Sequence, residues 1–319
     1  MKQPLKVAVV GVGHVGSQHA KIYAQMPGVR LAAVCDTNQE RAEQLAAELG
    51  CEALTDAGAL AGRVDAASLA IPTRLHGAVG LKLLGAGIHL LIEKPITAVL
   101  AEANALVRLA AKRRLVLQVG HVERFNAAIQ AAMSRLKHPR FIEVHRLSPY
   151  PFRSLDVSVV LDVMIHDLDL ILELVRAKPL RIDAVGMPVL SSSEDIANAR
   201  LTFASGCVAN LTASRISDET VRRIRVFQED NYLSIDYKAQ TVELAHKHGA
   251  TIERVQLPVN RRPPLTDELA SFVQSVVRKQ PALVPGEAGR DALALALKIE
   301  QAMRRASFAR RQAPARSRA

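Results

Sequence analysis

The sequence predicts an α/β protein in two domains: a doubly wound parallel sheet, then an α+β domain on a large, mostly antiparallel open sheet. Three observations carry this. Apolar runs alternate with amphipathic helical stretches from Leu5 to about residue 121. From Arg181 to Leu257 the texture changes to short alternating runs separated by turn residues. At 319 residues, two cores are a better expectation than one.

The first apolar run, Leu5 to Val10, passes straight into Gly11-Val12-Gly13-His14-Val15-Gly16. A helical stretch from Ser17 to Met26 follows, then a second apolar run, Val29 to Cys35, that ends on Asp36. This is the layout of a dinucleotide-binding strand–turn–helix–strand unit, the opening of a Rossmann domain. Gly11 permits the tight turn, Gly13 lets a pyrophosphate approach the backbone, and Gly16 lets the helix lie close to the strand. The helix N-terminus offers free N–H groups and a positive dipole end to the phosphates. Asp36, 20 residues beyond Gly16, stands where a carboxylate accepts from ribose hydroxyls. Between two strands and with the acid in place, the glycine pattern is a strong signal.

Asn38 to Leu49 reads as an amphipathic helix stopped at Gly50. Asp65 to Ile71 is a buried parallel strand ending at Pro72-Thr73, and His76 to Ala86 a helix. Ile88 to Ile92 is a strand ending on Glu93-Lys94-Pro95, Leu100 to Lys112 a helix, and Leu115 to Val119 a strand running into Gly120-His121. The first domain is therefore expected over residues 1–121.

Beyond it, Glu123 to Leu136 reads as a helix and Phe141 to Leu147 as an edge-like strand. Val157 to Val175 reads as one long helix interrupted by charges. Seven strands are then expected between Arg181 and Leu257. Their alternation implies one sheet face against helices and one free face. A free face is usually covered by a second subunit, so a homodimer or homotetramer is expected. Helices from Thr266 to Lys279 and from Glu287 to about Arg305 close the chain. The second domain is expected over residues 122–303, for substrate binding and oligomerisation, with 304–319 a basic, disordered tail.

Hydrophobic residues make up 49% and charged residues 23%, the balance of a soluble globular protein. No apolar run reaches the roughly 18–20 residues of a membrane helix, so no membrane insertion is expected. The N-terminus lacks the layout of a signal peptide. Cys35, Cys51 and Cys207 are odd in number and fit no zinc spacing, which suits a reducing cytoplasm and argues against a disulfide scaffold or a metal site. The net charge is +11, but residues 304–319 hold six arginines and no acid. With aromatics at 3% and no Trp, a base-stacking surface is not expected, and no nucleic-acid partner. A basic body can instead draw in an anionic small substrate.

Lys94 sits at the carboxyl end of a parallel strand, where open α/β sheets bind ligands, and a lysine there can handle a hydroxyl proton. By position alone a surface lysine at a strand end is the better reading. Asp162 and His166 are four apart on a helix and share a face, with Asp169 on nearly the same stripe. Such a pair can be a general base held in one tautomer, a satisfied core histidine or the tip of a metal site. No clean third His or Cys favours the metal.

The chain resembles the glucose–fructose oxidoreductase / inositol dehydrogenase / MocA (Gfo/Idh/MocA) family of nicotinamide-dependent sugar oxidoreductases over residues 5 to about 303. The resemblance rests on Gly11–Gly16, Ile71-Pro72-Thr73 with His76, Glu93-Lys94-Pro95, Asp162-x-x-x-His166-Asp167 and Pro264-Leu265-Thr266-Asp267-Glu268-Leu269. It implies catalysis by Lys94 and His166, with Asp162 beside them. It also implies cofactor contacts from Gly11, Gly13, His14, Val15, Gly16, Asp36, Pro72, Thr73, His76, Glu93, Lys94 and His121. The chain departs from the family where Ser158, Val159 and Met164 stand in place of frequent glycines.

Val119–Asn126 and Leu161–Asp167 further resemble a bacterial subgroup tied to envelope sugar synthesis, which includes UDP-N-acetylglucosamine 3-dehydrogenases of the lipid A pathway. That resemblance implies oxidation of the sugar 3-hydroxyl, with Arg124, Asn126, His166 and Arg261 as substrate contacts. The alternatives are a free cyclitol or aldose substrate, or a nicotinamide sensor without turnover. NAD is expected over NADP, because Asp36 would repel a 2′-phosphate and Thr37-Asn38 supply no arginine. Arg41, one helical turn on, weighs the other way.

Overall fold

The computed structural model describes residues 3–150 and 157–312, with side chains described to residue 306. By its contacts the chain divides into two units, residues 1–125 with 262–293, and 126–261 with 294–319.

In the first unit, strands β1 (Leu5–Val10), β2 (Val29–Cys35), β3 (Glu52–Leu54), β4 (Ala66–Leu69), β5 (His89–Glu93) and β6 (Leu117–Gly120) form a sheet of order β3-β2-β1-β4-β5-β6. Every pairing in it is parallel. Helices α1 (His14–Gln25), α2 (Gln39–Leu49), α3 (His76–Gly85) and α4 (Leu100–Arg113) are the crossovers. The order reverses between β1 and β4, the switch point at which such sheets bind ligands. The strands are buried on both sides, as parallel strands with helices on each face must be, so they read as continuous apolar runs.

Residues 262–293 return to this unit instead of joining the second, as the sequence reading had them. The cause is the apolar face of α7 (Pro264–Arg278). It buries Leu269, Phe272, Val273 and Val276 in the core with Val7, Val9, Tyr23 and Leu91. Gly289 then approaches β6 so closely that a Cβ would meet Val119 Cγ2 at 2.6 Å.

In the second unit, β7 (Phe141–Leu147), β8 (Pro179–Met187), β9 (Ile196–Phe203), β10 (Val208–Ser214), β11 (Val221–Phe227), β12 (Asn231–Asp236), β13 (Thr241–His248) and β14 (Thr251–Leu257) form one sheet. Its order is β14-β13-β12-β11-β7-β10-β9-β8, and only β7–β10 is a parallel pair. One face is apolar: Ile142, Val144, Leu211, Ile224, Val226, Leu233 and Ile235 are all buried. The other face is open and polar. There Arg225 pairs with Glu143, Arg254 with Glu243, and Phe227 lies between Phe141 and Tyr232.

Two expected helices differ. The stretch from Glu123 to Leu136 is a 3-10 turn over Val122–Phe125 and then α5 (Ala127–Met133), broken at Asn126. The stretch from Val157 to Val175 opens as a π-helical turn over Val160–Met164 before α6 (Ile165–Val175). Helix α8 (Gly286–Gln312) continues past residue 304 where a disordered tail was expected; residues 313–319 lie outside the described residues. Among the described residues no helix is long and apolar enough to cross a membrane.

Candidate active site

In the first unit the carboxyl ends of β1, β4, β5 and β6 lie along one edge of the sheet, because the strands are parallel and paired as Val10↔Leu69, Leu69↔Ile92 and Glu93↔Gly120. That edge gathers Gly11–Gly16, Pro72-Thr73, Glu93-Lys94 and His121. Gly11 turns the chain at φ +86, and a Cβ on it would stand 2.3 Å from the Ala70 carbonyl oxygen. A Cβ on Gly16 would lie 1.8 Å from the Gly11 carbonyl oxygen, so α1 can start here only without one. Gly13 is the contrast: a Cβ there meets nothing within 4 Å. It is also the N-cap of α1 and supplies no side-chain cap to the N–H groups of the first turn.

Asp36 follows β2 beside this turn. Its Oδ2 accepts the Val12 N–H and its Oδ1 the Asn38 N–H, both at 2.9 Å. These two bonds fix the carboxylate at the mouth of the turn, with Arg41 Nη1 3.7 Å from Oδ2. His14 and Val15 are exposed on the first turn of α1. Pro72 is exposed and Thr73 half-buried at the start of a short 3-10 turn.

His76 is buried, with Nδ1 2.9 Å from the Pro95 carbonyl and Nε2 2.8 Å from the Ile71 carbonyl. Burial lowers its affinity for a proton, against the pull of those two acceptors. The histidine thus ties the β4 turn to the turn bearing Lys94, whose following peptide bond to Pro95 is cis. Lys94 is half-buried, His121 buried and Arg124 half-buried.

In the second unit, Asp162 lies in the π-helical turn and His166 in the first turn of α6, both half-buried. The Ile165 N–H bonds back to the Val160 carbonyl across five residues, so the turn holds one residue more than an α-helix would. Asp167, next to His166, is buried and gripped by Arg146. Arg146 in turn lies 5.2 Å from the Tyr237 ring centroid. Where the family often has glycine, Val159 and Met164 are fully buried, and Ser158 is hydrogen-bonded to Glu300.

Asn126, an expected substrate contact, is engaged in the local structure of α5. Asn126 is 2% exposed. Its Oδ1 caps α5 by accepting the Ala128 N–H at 3.1 Å, and its Nδ2 donates to the Tyr237 carbonyl at 3.0 Å. An Asn just before a helix-forming run is a common N-cap, so this role had a local signal. Arg261 is exposed in the segment between β14 and α7. Sequence reasoning missed Arg146, which sits 21 residues before its partner on a different element and carries no local mark.

The first-unit edge fits a dinucleotide. It has open room at Gly13 for a phosphate, a helix start without a side-chain cap and a fixed carboxylate at the end of the next strand. Fold and site together define a nicotinamide-dependent oxidoreductase. Residues 5–121 match the Gfo/Idh/MocA oxidoreductase family with its NAD-binding Rossmann fold, and residues 129–234 match the GFO/IDH/MocA C-terminal domain. The chain belongs to the Gfo/Idh/MocA family. It is 40% identical over 306 residues to UDP-N-acetylglucosamine 3-dehydrogenase of Acidithiobacillus ferrooxidans, covering 94% of this chain and 97% of that one. A solved structure of that enzyme superposes with a TM-score of 0.89 at 41% identity, over 93% and 97% of the two chains. The scyllo-inositol 2-dehydrogenase (NAD(+)) of Bacillus subtilis is 29% identical over 241 residues, covering 68% of this chain and 69% of that one. The protein is therefore an NAD-dependent dehydrogenase of this family.

Proposed function

We propose that the protein oxidises the 3-hydroxyl of UDP-N-acetylglucosamine or a close UDP-sugar with NAD⁺, as a step toward a 3-amino sugar of an envelope lipid such as lipid A. The observation that carries this reading is the 40% identity to a UDP-N-acetylglucosamine 3-dehydrogenase, sustained over 94% of the chain. The excess of basic residues suits an anionic nucleotide sugar. We place the reaction in the cytoplasm, where NAD is held.

Bound NAD⁺ supplies the hydride acceptor. The protein's own task is to take the hydroxyl proton and to stabilise the alkoxide as it forms. Lys94 offers a positive charge and His166 a titratable imidazole, and either can be the base. Asp162, one turn before His166, orients it. Holding sugar and cofactor in one geometry removes much of the barrier without further chemistry. Arg124 and Arg261 are proposed to pair with the diphosphate, since guanidinium groups bind phosphates in a bidentate way. The open polar face of the eight-stranded sheet is proposed to join two or more copies, which light scattering on the purified protein would detect as a mass above 34.6 kDa.

The inositol dehydrogenase relatives support a second reading, a free cyclitol or aldose substrate. An NAD⁺-reduction screen decides between them. UDP-N-acetylglucosamine is expected to give a burst of NADH that stalls at equilibrium and runs on when the 3-keto product is removed. Turnover on myo-inositol or glucose with none on any UDP-sugar would overturn the proposal.

A further inference from the structure

On the face of the parallel sheet that α1 and α7 cover, an otherwise apolar core holds a cluster of polar side chains. Glu268 of α7 is fully buried, and neither of its carboxyl oxygens has a hydrogen-bond partner. His19 of α1 is also fully buried, with Nε2 3.3 Å from Glu93 Oε1, at ion-pair distance but off hydrogen-bond alignment. Gln118 of β6 donates to the Glu268 carbonyl at 3.1 Å and keeps its own Oε1 unpartnered. Tyr23 and Ser68 bond to each other at 2.9 Å nearby. Around them lie Val7, Val9, Leu91, Leu269 and Phe272.

Glu93 leads from this cluster to the lysine. Its Oε2 accepts the Lys94 N–H at 3.3 Å, which pins the peptide that carries the lysine. Its register partner, Gly120, leaves the space: a Cβ there would lie 2.9 Å from the Glu93 carboxyl. The two carboxyls of the cluster are driven apart. Burial raises Glu268 well above the usual carboxylate range, and the charge of Glu93 raises it further. Burial also raises Glu93, but His19, the Lys94 charge and the Lys94 N–H outweigh it and hold the carboxyl below that range. The groups facing Glu93 are His19 and Tyr23 from α1, His76 from α3, Glu268 from α7, and Lys94 itself.

We propose that His19 holds Glu93 as a carboxylate, that Glu268 keeps its proton beside it, and that Glu93 is the positioning residue for Lys94. An ionised Glu268 would set a second negative charge near Glu93, and among the described residues no hydrogen bond reaches either Glu268 oxygen. The neutral acid is therefore a condition of the arrangement. The inference rests on the assignment of Lys94 to proton handling, and it gives the Glu268 of the Pro264–Leu269 motif a task.

Infrared spectroscopy tests the protonation without any substrate. The wild-type protein at neutral pH is expected to show a carboxylic-acid C=O stretch that Glu268→Gln removes and Glu93→Gln keeps. A carboxyl whose folded-state affinity for protons is raised lends its full stability below the unfolded range, near pH 4.3, and loses it as pH rises. Glu268→Gln should therefore gain in Tm relative to wild type as pH rises above the unfolded range. Glu93→Gln should shift the ¹³Cε resonance of Lys94, assigned through Lys94→Ala. It should also lower kcat by roughly tenfold, the scale of one lost hydrogen bond to a charged group, with KM for NAD⁺ moving less. No acid band lost in Glu268→Gln, or an unmoved Lys94 resonance in Glu93→Gln, overturns the proposal. If no sugar is oxidised, the functional reading fails while the infrared and resonance tests still stand.

Discussion

Arg146 meets Asp167 through two parallel hydrogen bonds, Nε to Oδ2 at 2.8 Å and Nη2 to Oδ1 at 2.9 Å, with both side chains nearly out of reach of water. The pair fastens the first turn of α6 to β7 at the residue that follows His166. Removing the arginine takes a bidentate counter-charge from a buried carboxylate. Arg146→Ala is expected to lose about 3 kcal/mol or more in urea unfolding. The double variant Arg146→Met, Asp167→Leu should recover much of that loss, because it removes both charges together.

The three glycines of the first turn make different demands, and two of them can be separated. Gly16→Ala places a methyl group 1.8 Å from the Gly11 carbonyl oxygen, so the turn must open and Tm should fall. Gly13→Ala meets open space and should leave Tm unchanged. Its methyl group instead stands where the pyrophosphate approaches, so NAD⁺ affinity should drop in a fluorescence titration.

Asp36 accepts two backbone N–H groups, and we propose that its carboxylate also receives the ribose hydroxyls. Asp36→Ala is expected to weaken NAD⁺ binding by roughly 10- to 100-fold, the range of one hydrogen bond to a charged group. The preference over NADP⁺ should shrink in the same titration, because the acid that repels a 2′-phosphate is gone while Arg41, 3.7 Å from it, remains.

Lys94→Ala and His166→Ala are each expected to lose at least roughly 10²-fold in turnover while keeping NAD⁺ affinity within a few-fold, since a general base acts in the chemical step. Near-normal turnover of either variant on the true substrate would remove that residue from the proton transfer.

The nucleotide turn was legible in the chain because its requirements are local. A left-handed φ at Gly11, a close contact at Gly16 and an acid at the end of the next strand are written within about thirty residues. The strands of the second sheet were legible for the same reason, since alternation at a period of two reports which side each residue faces. Three features were decided only by tertiary structure. An amphipathic helix such as α7 announces that it has a core to bury into, but not which core, and packing against α1 assigned it to the first unit. The π-helical turn at Val160–Met164 has an apolar pattern that an α-helix would share, so its extra residue shows only in the backbone. The pairs Arg146–Asp167 and Glu93–His19 join residues distant along the chain. A charge buried by folding is matched by whatever partner folding brings beside it, and no local spacing records that match.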